Sequence, residues 1–145
     1  MKRILCAILL VLTMIGQGLA AVSWVLSTGS QTAIQRAIND EVDDGVLVIY
    51  ETSTVLATFT LPDKSANTVD FPSAGTMTFG VIANVTASAS GTANTFKVFK
   101  NGGSTLILTG NVGTADTALV LNTTTIASGD TVVISSFKWT VPTGS

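Results

Sequence analysis

The stretch "TFKVFKNGGSTLILTG", residues 95–110, decides the fold class. Two short runs of β-branched, aromatic and aliphatic residues flank Lys100-Asn101-Gly102-Gly103. Asn-Gly tolerates the positive φ angles of a tight hairpin, so the two runs read as adjacent antiparallel strands. The same grammar extends in both directions. Runs at 46–50, 55–61, 76–82, 84–90, 117–122 and 131–141 are equally short and are separated by Gly, Asn, Asp, Ser or Pro. With 95–100 and 104–110 they give eight expected strands. In the last of them Val133, Phe137, Trp139 and Val141 alternate with Ser136, Lys138 and Thr140, the period of a strand with one buried face.

Upstream of Gly45 the period changes. In "STGSQTAIQRAINDEVDDG" (27–45), Ala33 and Ile34 recur four residues later as Ala37 and Ile38, which gives one apolar stripe and predicts one helix of about three turns near residues 30–40, packed across one end of the strands or standing apart as an arm. Thr28 and Gln31 have capping-box spacing, and Gly45 is placed to end the helix. The expected architecture is mainly β: an immunoglobulin-like antiparallel β-sandwich with one N-terminal α-helix. Its expected core includes Ile49, Phe59, Phe79, Phe96, Val98, Leu108, Leu121, Ile134, Phe137 and Trp139.

Three segments follow: an apolar leader or signal peptide over 1–20, an arm and helix over 21–45, and the sandwich over 46–145. Lys2 and Arg3 precede the apolar run Ile4–Ile15, and "GQGLAA" (16–21) supplies the small residues of a cleavage site after Ala20 or Ala21. An uncleaved anchor is the alternative, because Ile4–Leu26 carries no charge. Val22, Trp24 and Leu26 then lie on one side of a short apolar arm that suits strand addition to a neighbouring sheet edge. Pairing of that arm within its own sandwich is the alternative.

Composition excludes several chemistries. The chain has no histidine, and its one cysteine, Cys6, lies in the leader, so imidazole-based and thiol-based catalysis lack their residues. Charged residues make up 11% of the chain against a usual share of about 25%. With a net charge of −2 and no basic run, nucleic acid is not an expected partner. No cofactor is expected, and a membrane is expected to be met only through the leader.

The acidic residues are mostly placed as turn formers beside Gly, Ser or Pro. Asp40, Asp44 and Glu51 match positions of a calcium loop, but Val42 occupies a ligand position and the "VLVIY" that follows is strand-like, so they are weak metal candidates. Phe96, Phe99, Phe137 and Trp139 suit a core better than a sugar-stacking platform.

"LVIYETSTVLATFTLPD" (47–63), "TASASGTANTFKVFKNGG" (86–103) and "GNVGTADTALVLNTTTIASGDTVVISSFKWTVP" (110–142) resemble a family of small structural proteins of tailed bacteriophages and prophages. The resemblance covers roughly residues 33–142 and rests on turns and strands. It implies a non-enzymatic, virion-associated protein, in capsid decoration or at the head or tail, whose partners are other protein subunits in a homo-oligomer or larger assembly. The alternative is an exported β-sandwich module for adhesion, filament assembly or carbohydrate binding. Localisation follows the leader: the virion if it is unused, secreted or periplasmic if it is used.

Overall fold

The structure, a computed structural model, describes residues 26–63, 70–73 and 75–141. The leader and the arm residues Val22 and Trp24 lie outside the described residues. Helix α1 spans Thr28–Glu41. Among the described residues twelve strands follow: β1 (Val46–Glu51), β2 (Thr54–Thr60), β3 (Asp70–Ser73), β4 (Thr76–Thr78), β5 (Val85–Thr86), β6 (Gly91–Thr92), β7 (Thr95–Phe99), β8 (Leu106–Gly113), β9 (Leu119–Leu121), β10 (Thr125–Ile126), β11 (Thr131–Val132) and β12 (Ile134–Thr140). The fold is mainly β with one helix near the N-terminus, as the alternation and turn residues predict.

Eight strands join in the order β2-β1-β7-β8-β9-β12-β4-β3. Phe96 on β7 and Phe137 on β12 lie three places apart in that order, a separation of roughly 14 Å in a flat sheet at about 4.8 Å per strand. Their ring centroids are 5.3 Å apart, edge to face. The sheet therefore doubles over between β8 and β9, setting β2-β1-β7-β8 against β9-β12-β4-β3. The fold line is marked by the one parallel pairing in the ladder, Val112↔Leu119 and Gly113↔Val120, while every other described pairing is antiparallel.

The space between the layers is filled from both inner faces. Leu47, Ile49, Leu56, Phe59, Met77, Phe96, Val98, Leu119, Leu121 and Phe137 are fully or almost fully buried. Phe79 stacks on Phe137 at 4.2 Å between centroids. Of the expected core, Ile134 and Trp139 are only partly buried and pack against its margin. A bulge explains Ile134. Its partner is Leu121, the next pairing is Ser136↔Val120, and the extra Ser135 shifts the register.

The two ends of the sandwich are closed differently. The pairs β5–β11 and β6–β10 close the end that β1 reaches at Glu51. At the other end α1 lies across the mouth, tied to the β7–β8 hairpin by Glu41 and Lys100 (2.8 Å) and set against the β3–β4 turn by Gln31 at Gly75. The ion pair is half exposed on both sides and contributes little to stability. Val42, at the helix C-cap, enters the core.

Candidate functional site

The residues singled out as cation ligands are not gathered into one loop. Asp40 is exposed in the last turn of α1, and Asp44 is exposed in the turn before β1 with φ 51°. Glu51 ends β1, so about 17 Å of extended strand separates it from that turn. Pairing of β1 with β2 and β7 on both sides keeps the strand straight and forbids the wrap a calcium loop needs. Glu51 serves the opposite end instead: its Oε1 accepts the Thr92 N–H at 2.9 Å. Gly91 makes room for it, since a Cβ there would stand 2.6 Å from Oε2. A different acidic group does form. Carboxylate oxygens of Asp43, Asp44 and Asp63 lie within 4.8 Å of one another at the α1 end of the sandwich.

Other acidic residues act on the backbone, as their turn contexts predict. Asp130 Oδ2 accepts the Ala127 N–H at 2.8 Å and closes the turn "ASGD". An open groove of about 230 Å3 lies beside it, lined by Asn122, Thr123, Ile126, Asp130, Thr131 and Val132. Phe96 and Phe137 are spent in the core, so the four aromatics named above form no exposed platform.

Helix α1 stands where the spacing predicts it, but it does not bury its apolar stripe. The Ala/Ile stripe faces outward: Ala33 and Ala37 are exposed, Ile34 is 37% exposed, and only Ile38 is half-buried. The face turned to the body carries Gln31 and Gln35, at 8% and 0% exposure, with Ile38 and Val42. The N-cap is Ser27, whose hydroxyl accepts the Ser30 N–H at 3.2 Å, in place of the expected Thr28. Gln31 then donates from Nε2 to the Leu26 carbonyl at 2.9 Å, which fixes the entering chain on the glutamine side. Neither the Nε2 nor the Oε1 of Gln35 has a hydrogen-bond partner among the described residues. The spacing in the sequence located the helix but not the face that it buries.

Further apolar surface lies on the outside of the β2-β1-β7-β8 layer. Register places Thr60, Val46, Phe99 and Leu106 in one row across four strands. Leu106 is half exposed, and Val46 and Phe99 are half-buried. Next to them Lys97 Nζ sits 4.9 Å from the Tyr50 ring centroid, a cation–π contact on the solvent face. Among the described residues, no helix is long and apolar enough to cross a membrane. No protein family, curated protein or solved structure matches this chain.

Proposed function

We propose that this chain is a non-enzymatic structural protein that works through contacts with other protein chains, as a component of a tailed-bacteriophage or prophage particle. The observation that carries the contact reading is the orientation of α1. An amphipathic helix normally buries its apolar stripe. This one buries two glutamines and presents Ala33, Ile34 and Ala37 outward, an arrangement suited to a helix whose apolar side belongs to an interface. The absence of histidine and the confinement of cysteine to Cys6 agree with a role without catalysis. The phage setting draws on the sequence resemblance alone.

Sedimentation velocity on the full chain across micromolar concentrations tests this. Concentration-dependent assembly is expected, and Ile34→Lys is expected to weaken it about tenfold or more, the effect of a 1.4 kcal/mol loss, without lowering the melting temperature. A chain that stays monomeric at every concentration and is missing from purified particles would sink the reading.

An exported module for adhesion or carbohydrate binding is the second reading. The leader pattern of residues 1–20 and the polar groove beside Asp130 favour it. Sequencing the N-terminus of protein from its native source separates the two. A start at Ala21 or Val22 outside the cytoplasm supports export, and a start at Met1 in a particle supports the first reading.

A further inference from the structure

The two outer edges of the eight-stranded sheet are built differently. On β3, Pro72 has no N–H to offer, and the register against β4 breaks between Asp70 and Ser73. Both features make an edge a poor template for another strand. On β2 the register against β1 shifts once, at Leu56 opposite Ile49 and Tyr50, and the pairing from Ala57 to Thr60 is regular; "TVLATFT" (54–60) has no charge and no proline.

Two hydrogen bonds establish which backbone groups of β2 face outward. The Leu61 N–H donates to the Gly45 carbonyl at 2.8 Å, so Ala57 and Phe59, alternating in step with Leu61, direct their groups at β1. The Leu56 carbonyl accepts the Ser88 N–H at 2.8 Å from the opposite side, so Thr58 and Thr60, in step with Leu56, face away from β1. Ser88 closes the edge at Leu56, where its hydroxyl also reaches the Val55 and Leu56 carbonyls. Past that point no described segment pairs with β2. Thr58 and Thr60 each direct an N–H and a C=O outward, both side chains are exposed, and Pro62, which has no N–H, ends the run.

We infer that the Thr58–Thr60 edge accepts residues 21–26 of a second copy of this chain as an added strand. The inference rests on the assembly reading above and names its acceptor. The open edge from Ala57 to Leu61 is matched in length by Val22–Leu26, and neither segment carries charge. Alternation sets Val22, Trp24 and Leu26 on one face of such a strand, level with inward-facing Phe59, and Ser23 and Val25 on the other, beside Thr58 and Thr60. The occupant is a second copy because of where the chain enters its own fold. The carbonyl of Leu26 is held by Gln31, whose amide lies against Gly75 in the β3–β4 turn, so the entering chain reaches the layer opposite β2.

The test uses the full-length chain with Cys6→Ser as background. Chains carrying Ser23→Cys are mixed with chains carrying Thr58→Cys under mild oxidation, and chains carrying Thr123→Cys, also at an exposed threonine, serve as the control acceptor. Cβ atoms of neighbouring strands come close enough for a disulfide. The 23–58 pair should therefore form at least about tenfold more cross-linked dimer than the 23–123 pair, the preference that 1.4 kcal/mol supplies. Equal yields overturn the inference. So does a doubly substituted chain, Ser23→Cys with Thr58→Cys, that closes only on itself at every dilution. Independently, Thr58→Pro removes one outward N–H and should weaken association about tenfold while the near-ultraviolet circular dichroism stays unchanged. Undiminished association of a folded Thr58→Pro chain overturns the edge assignment and leaves the assembly reading standing, whereas an unmodified chain that never associates overturns both. If Thr58→Pro fails to fold, the cross-linking yields decide.

Discussion

Gly110 on β8 lies directly opposite Phe96 on β7, and the Phe96 ring covers it so closely that a Cβ would stand 2.7 Å from Cε1. The ring cannot yield, because its other side meets Phe137. Gly110→Ala is therefore expected to cost about 1–3 kcal/mol, the range for forcing extra volume into a packed core. Urea unfolding should show a lower midpoint at unchanged slope. An alanine variant as stable as the unmodified chain would contradict the close packing.

Gln35 gives a change of opposite sign. Both of its amide atoms are buried without a partner among the described residues, and an unsatisfied buried polar group costs about 1–3 kcal/mol. Gln35→Leu has similar reach and no polar atoms, so a gain of about 1–2 kcal/mol is expected. Thermal unfolding followed at 222 nm would register it as a higher midpoint. A lower midpoint would show that Gln35 has a hydrogen-bond role in the folded protein.

Phe137 and Trp139 lie two residues apart on the same strand and differ in depth. Phe137 is 1% exposed and sits between Phe79 and Phe96, so Phe137→Ala is expected to cost about 3–5 kcal/mol. Trp139 is only partly buried at the margin of the core and pairs with Met77 on β4. Its replacement by alanine should cost less than that of Phe137, and equal losses in one denaturant series would place Trp139 deeper than described here.

Glu51 should behave as a structural acceptor. Glu51→Ala removes the bond to the Thr92 N–H and is expected to lower stability by about 1–2 kcal/mol, while Glu51→Gln keeps an acceptor and loses less. Because Glu51 and Asp44 stand at opposite ends of β1, millimolar calcium should shift the melting temperature of Glu51→Gln and of the unmodified chain equally. A calcium response that disappears only in Glu51→Gln would contradict this.

What the sequence made legible was local. The Asn101-Gly102 turn and the helix before Gly45 depend on neighbours within a few residues and are present, while the strand expected over 131–141 is split at Val133 into β11 and β12. The regions 84–90 and 117–122 read as single strands of ordinary length, but they form the short pieces β5 and β9, the second only Leu119–Leu121. Tertiary pairing caused that difference: β5 exists only where Val132 and Thr131 meet it. The face that α1 buries was equally hidden, since the apolar spacing marks Ala33, Ile34 and Ala37 while the buried residues are Gln31 and Gln35. The same holds for Glu51, whose partner Thr92 is 41 residues away.

The position of β12 has a consequence for synthesis. This strand, the last one described, does not lie at an edge: it is inserted between β9 and β4, and pairs Thr140 with Thr76 and Phe137 with Leu119. A ribosome releases β4 long before β12, so the inner side of β4 must wait for residues near 140 to emerge. The second layer therefore cannot close until β12 is available and forms by contacts that are distant in sequence, which places folding in the slow millisecond-to-second range of β-rich domains. During that wait the strands from β1 to β9 expose the apolar side that Phe137 later covers, and the low charge of the chain offers little to keep such intermediates apart.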